Sequence, residues 1–305
     1  MIRYIGILLI ILFGIVSPLR AADSPANLLI LFPKLNAAYD RVFNEIVDGI
    51  HSHNGVVPRT FSLTSSSTVA EIQAQIEANK TDAIIALGQS SYEIGKMFHD
   101  QLPVIHGGMI IQPGQHNGIS LVGSPKQFFT QLKNIAPPVK RVFTVYSEEN
   151  SGWLIRLAEQ EAKKRNIELK ALVASNSREA AHKFRDILTQ ANGSSDAIWL
   201  LLDKVVPNQT ILPIALEAAW KKNLVLFSSN PAHTKRGALF SLYPDHQKMG
   251  YSLAELSLKL IDSPQPTVLP LSGLKISVNE RTASHLGLRY SNAQRGLFDI
   301  IYPLR

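Results

Sequence analysis

Short runs of β-branched and aliphatic residues alternate with helical stretches along nearly the whole chain, which restricts the fold to parallel sheets covered by helices. A strand parallel to its predecessor needs a crossover, and a helix supplies it. Strands are expected at residues 27–32, 56–63, 82–87, 103–106 and 118–122, and in a second series at 141–146, 168–174, 197–202, 224–228 and 238–242. Two series imply two lobes. Gly123 separates them, and the second series ends near Tyr243-Pro244, where the chain is expected to return. A helix follows over 245–261, and Pro264, Pro266 and Pro270 then break regular structure, where a third connection fits. The expected architecture is α/β, with two parallel-sheet lobes joined by a multi-crossing hinge. Lobe 1 takes residues 23–122 plus 243–305 and lobe 2 takes 123–242, with the placement of 264–305 left open.

Helix signals support this reading. Thr68 with Glu71 forms a capping-box pattern ahead of Ile72 and Ile76, which share a face. Ser124 followed by Pro125 suits an N-cap and a first helical position. Trp153, Leu154, Leu157, Ala158 and Ala162 recur at helical spacing, which makes Trp153 a core residue.

The beginning of the chain differs in kind. Arg3 precedes an uncharged apolar run from Tyr4 to Val16, and Ser17, Pro18, Ala21 and Ala22 follow, in the order of a secretory signal over residues 1–22. That run of 13 residues is shorter than the roughly 20 of a spanning helix. Cutting after Ala22 or Ala21 places Arg20 or Leu19 at the third position back, so the cleavage point is open and a retained tether is the alternative. Without any cysteine the chain has no disulfide framework, thiolate metal site or lipid-bearing thiol. A periplasmic location and a monomeric state are the expectations.

Net charge is +7 over 305 residues. The clusters Lys163-Lys164-Arg165 and Lys221-Lys222 fall at expected helix ends, where cations offset the helix dipole. No aromatic stacking surface or basic stripe accompanies them, which excludes nucleic acid as a partner. His51 and His53, two apart, point to different helix faces, so no metal and no cofactor is expected.

In open parallel sheets ligands meet the carboxyl ends of the strands. Small polar residues stand at four such ends: Gly88-Gln89-Ser90-Ser91, Ser147 through Ser151, Asp203, and Ser228-Ser229-Asn230. A helix opening at Gln89, Ser90 and Ser91 offers unpaired N–H groups to a carboxylate, with hydroxyls as added donors. Asp203 is placed to accept hydrogen bonds from an ammonium. A zwitterion would satisfy both, although one serine capping its helix and an acid paired with Lys204 or Lys235 are the plain structural alternatives. Ser147, Asn150 and Asn230 are lesser candidates because such residues are also ordinary in turns. Phe32, Tyr39 and Tyr92 are candidates for an apolar wall or for core.

The second half holds an ordered set of short motifs: Lys235-Arg236-Gly237-Ala238-Leu239, then Tyr243, Asp245 and Met249-Gly250-Tyr251, and finally Ile276, Asn279, Thr282-Ala283 and Leu286-Gly287-Leu288. In these residues and their order it resembles the ABC transporter substrate-binding family. The resemblance implies a type I periplasmic binding protein fold and a small-molecule ligand such as an amino acid, with Ser90 or Ser91 at the ligand carboxylate. Asp203-Lys204 stands where family members commonly have Asp-Asn, Phe32-Pro33-Lys34-Leu35 lacks the common His-Pro, and Tyr290-Ser291 replaces the usual Ile-Pro.

An enzyme is the competing class. Gly88-x-Ser90 is similar to a nucleophile elbow, yet that turn needs Gly two residues after the serine and this chain has Tyr92. A non-enzymatic receptor is therefore expected, serving an inner-membrane ABC permease or, alternatively, a membrane sensor kinase or cyclase.

Overall fold

The computed structural model describes residues 24–34, 37–114, 116–206 and 208–304. The expected signal over residues 1–22 lies outside them. Chain order begins with β1 (Ala26–Pro33), α1 (Ala37–His51), β2 (Val56–Leu63), α2 (Val69–Ala78), β3 (Ala83–Leu87), α3 (Gly88–Gly95), β4 (Val104–Gly107) and β5 (Asn117–Gly123). The second series follows as α4 (Pro125–Ile135), β6 (Arg141–Tyr146), α5 (Glu148–Lys164), β7 (Glu168–Val173), α6 (Ser177–Gln190), β8 (Asp196–Leu200), α7 (Asn208–Lys222), β9 (Val225–Ser228), α8 (Pro231–Arg236) and β10 (Phe240–Pro244). The chain closes with α9 (His246–Asp262), β11 (Val268–Leu271), β12 (Leu274–Asn279), α10 (Glu280–His285), α11 (Asn292–Arg295) and β13 (Ile300–Tyr302).

Two sheets result, six-stranded in the order β11-β5-β4-β3-β1-β2 and seven-stranded in the order β13-β12-β10-β9-β8-β6-β7. The pairings are parallel except for β10 with β12. Apolar residues fill both faces of each sheet. Ile30, Ile85 and Ile105 pack to one side of the first sheet and Leu29, Ile84 and Val104 to the other. Such two-sided burial is why these strands read as continuous apolar runs. In the second sheet Trp199, Phe227 and Phe240 stack beneath α4, with Trp199 and Phe227 at 5.9 Å and 12° and Phe227 and Phe240 at 5.1 Å and 6°.

The tail, whose placement over 264–305 the sequence leaves open, divides between the two sheets. Only α9 and β11 return to the first lobe, whereas β12 and β13 extend the second sheet, β12 pairing Val278 with Phe240 and Leu274 with Pro244. The cause is the register: β12 covers the open edge of β10 and buries Ile276 and Val278 in the second core.

The chain thus crosses between lobes three times, after Gly123, after Pro244 and at Ser272-Gly273. The crossings are fastened together, since Ser124 N–H donates to the Leu271 carbonyl at 2.8 Å and Asp245 N–H to that of Gly273 at 3.0 Å. Each of β5, β10 and β11 enters its crossing by its carboxyl end. The carboxyl edges of the two sheets therefore face one another.

Helix α9 belongs in sequence after lobe 2 but docks on α1 of lobe 1. Its Gly250 lies so close to α1 that an added Cβ would stand 1.9 Å from the Ile46 carbonyl oxygen, and one at Gly49 would stand 1.9 Å from that of Gln247. Side chains there would force the helices apart. Gly250→Ala gains about 1 kcal/mol of helix propensity but, against a backbone oxygen that cannot move aside, loses about 3 kcal/mol to overpacking, so a net loss of about 2 kcal/mol is expected in denaturant unfolding. Unchanged stability would show that the helix contact tolerates separation.

Candidate functional site

At the carboxyl edge of the first sheet, β3 turns into α3 through Gly88, whose φ of +76° is open to glycine at no cost and whose added Cβ would meet the Phe43 ring at 3.0 Å. The N-cap position is Leu87, which contributes no side-chain hydrogen bond. Helices α2, α6, α8, α9, α10 and α11 are each capped by a side chain of their own. The opening of α3 instead keeps its N–H groups free of any side-chain cap, with the helix dipole behind them.

Helical phase separates the three residues expected here. Ser90 is exposed and its hydroxyl has no partner among the described residues. Gln89 is exposed too, but its amide runs along the helix to Glu93 at 2.9 Å. Ser91 is fully buried, with its hydroxyl unpartnered beneath the helix, so a ligand at the edge meets Ser90 and not Ser91. Tyr92 also faces inward, with its ring 4.6 Å from that of His106 and 5.2 Å from that of His116. Burial pushes the His106 imidazole down to about 4, helped by the neighbouring His116 and Lys96 charges, so it is neutral under α3 near pH 7. Phe32 packs against the first core. The side chain of Tyr39 lies outside the described residues.

One feature of this edge escaped the sequence reading. Strand β2 is followed by Thr64-Ser65-Ser66-Ser67-Thr68, five consecutive hydroxyl residues on the same carboxyl edge, where Ser67 Oγ accepts from Thr64 N–H at 3.0 Å. The run was legible, but only Thr68 was used, as the cap of α2.

Across from it, Asp203 organises the edge of the second sheet. Its Oδ2 accepts from Ser147 N–H at 3.1 Å and from the Ser151 hydroxyl at 2.6 Å, and its Oδ1 accepts from Val205 N–H at 3.0 Å. This buried carboxylate holds the start of α5 against the loop after β8. Neither Lys204 nor Lys235 pairs with it. Its remaining acceptor capacity is on Oδ1. Ser147 Oγ accepts from Asn150 Nδ2 at 3.0 Å, and no side chain caps α5. Asn230 Oδ1 accepts from Ala232 N–H at 3.0 Å, which spends it on capping α8. Leu202, exposed beside Asp203, offers apolar surface.

The two edges differ in charge character. Lobe 1 presents the uncapped end of α3 with no acid in its first turn, whereas lobe 2 presents α5, uncapped as well but with Glu148 and Glu149 in its first turn, Glu148 being paired with Arg156 at 2.8 Å, together with Asp203. No cluster of three or more metal-ligating side chains occurs among the described residues.

Asp203→Ala is expected to strand the Ser147 and Val205 N–H groups, each at about 1–3 kcal/mol. Asp203→Asn, which keeps one carbonyl acceptor, is expected to recover part of that. Denaturant unfolding of both variants checks this, and an Ala variant as stable as the parent would remove Asp203 from its structural role.

Comparison with known proteins agrees with this fold. Among solved structures, the ligand-free, open form of a substrate-binding protein with adhesive properties from Clostridium difficile matches with a TM-score of 0.58 and 17% identity over 92% of this chain and 100% of the other. An ABC domain from Streptococcus pneumonia in complex with L-Trp matches with a TM-score of 0.51 and 18% identity over 91% and 100%. Both likenesses concern the fold. In sequence, a tyrosine-binding protein of Clostridioides difficile (strain R20291) is 23% identical over 243 residues, 74% of this chain and 69% of the relative. The family model described as ABC transporter substrate binding protein matches residues 49–294, and the chain therefore belongs to that family of solute-binding proteins, which are not enzymes.

Proposed function

We propose that this chain is the periplasmic receptor of an ABC importer and that it closes its two lobes on an amino acid. The observation that carries the reading is the charge asymmetry of the facing edges. An α-carboxylate suits the uncapped amides of α3 and the Ser90 hydroxyl, and an α-ammonium suits the acidic start of α5 with the remaining acceptor of Asp203. Closure then follows from contacts that one ligand makes to both lobes. The side chain would lie against apolar surface such as Leu202, and the tyrosine- and tryptophan-binding relatives favour an aromatic one.

Asp203 contributes to the amine contact and does not carry it alone, since three of its acceptor positions serve the protein itself. Ser147, Asn150 and Asn230 shape the edge by holding helix starts. A sensor kinase or cyclase as the reader of the closed form is the second reading, and no feature of the chain favours it over a permease.

A thermal-shift and calorimetry panel of L-tyrosine, L-tryptophan, tyramine and the des-amino acids tests this. A ligand at 100 times its dissociation constant is expected to add about 2.7 kcal/mol of stability. Removing either charged group of the ligand loses charge-assisted hydrogen bonds of about 1.5–3 kcal/mol, so affinity is expected to fall roughly ten- to hundredfold. Equal binding of tyramine and tyrosine would overturn the assignment of α3 to the carboxylate, and the absence of any amino-acid shift would overturn the ligand class.

A further inference from the structure

Lobe 2 carries another recess on the opposite edge of its sheet, where α7, α8 and β12 finish. A cavity of about 240 Å³ is lined there by Trp220, Lys235, Arg236, Asn279, Arg281 and Thr282, together with Leu216 and Gly237. Three of these residues are cations and none is an acid.

Several of the basic residues at helix ends elsewhere on this lobe are engaged. Lys221 pairs with Glu217 at 2.5 Å, Lys222 donates to the Leu188 carbonyl at 2.6 Å, and Lys164 and Arg165 both pair with Glu161. These helix-end cations behave as dipole partners and need no ligand. Lys235, Arg236 and Arg281 are set apart by sharing one recess without an acid in its lining, and among the described residues none of them has an ion pair or a side-chain hydrogen bond. The neighbouring acid, Glu280, is taken by Arg295 at 2.7 Å.

The recess is also pre-formed. Trp220, 44% exposed, stacks on His285 with ring centroids 3.6 Å apart at 7°, and His285 Nε2 lies 2.9 Å from the Trp220 carbonyl oxygen. The ring so held carries the Arg281 guanidinium over its face at 5.9 Å. A guanidinium oriented in advance loses less freedom on binding, and its planar fork matches the oxygens of a phosphate. Gathering three unpaired cations is unfavourable without a counter-charge.

We propose that this recess binds a phosphate group, carried by a small molecule or by a lipid headgroup. A phosphate brings up to two negative charges and three acceptor oxygens to three cationic side chains, where a carboxylate brings one charge and two oxygens. The site is separate from the inter-lobe edges, so its occupancy is independent of any cleft ligand.

Calorimetry of the full chain with inorganic pyrophosphate is expected to show saturable binding that weakens with salt. In the double variant Arg236→Gln with Arg281→Gln the affinity is expected to fall at least tenfold, while Lys163→Gln with Lys164→Gln leaves it unchanged. Lys235→Gln, an exposed single change expected to weaken binding severalfold, keeps the test open if the double variant fails to fold. Retention on phosphatidylglycerol vesicles, released by pyrophosphate, would assign the phosphate to a lipid. Pyrophosphate binding without retention would assign it to a soluble molecule. Absence of both pyrophosphate and vesicle binding, or binding untouched by substitutions at 235, 236 and 281, would overturn the proposal.

Discussion

The contact of Gly250 with the Ile46 carbonyl is the interaction on which the rest of the arrangement depends. It lets a helix that follows lobe 2 in sequence sit backbone to backbone on the first helix of lobe 1. The chain is then committed to cross back, and β11 and β12 must split between the two sheets. With the crossings hydrogen-bonded to one another, relative motion of the lobes is confined to a hinge at the carboxyl ends of β5, β10 and β11. Three strands of chain at a hinge limit twisting and leave opening and closing. The open edge of each sheet, at β2 and β7, lies farthest from the crossings and would move most on closure.

Chemistry at the facing edges follows from where helices begin and which of them are capped. Most helices close their first turn with a side chain of their own. Helix α3 does not, because its N-cap position is the buried strand residue Leu87. That leaves amide donors at the edge with a buried histidine, neutral near pH 7, beneath the helix. On the other side Asp203 pins the start of α5, and Glu148 and Glu149 follow. A bound zwitterion would align with this asymmetry.

Much of the fold was legible because most strands of the two series are apolar runs bounded by turn residues, the edge strands β2 and β7 being the mixed ones. Residues 56–63 and 141–146 were read to the residue. Thr68 and Glu71 form the capping box that their spacing announced. The tail was less legible, since an antiparallel partner such as β12 is selected by register across the sheet, which local pattern does not encode. The site was readable as positions but not as roles. Which of Ser90 and Ser91 faces outward depends on helical phase, and the bonds of Asp203 come from Ser147 and Ser151, more than fifty residues away. Three of the motif residues behind the family likeness make structural bonds: Asp245 caps α9, and Asn279 and Thr282 tie α10 to the Gly237 turn. Tyr290, where family members usually have Ile, packs on Phe298 and donates to the Ile135 carbonyl at 3.3 Å.

The recess around Arg281 differs from the ordinary basic helix ends in gathering three cations in one lining without an acid. The central claim is closure of the lobes on an amino acid, and a distance reports it most directly. The chain has no cysteine, so spin labels placed by Ser65→Cys after β2 and Ser177→Cys after β7 are the sole thiol-linked probes. Double electron–electron resonance should show this distance shortening when L-tyrosine or L-tryptophan is bound. An unchanged distance distribution under conditions where calorimetry shows the site filled would contradict the account.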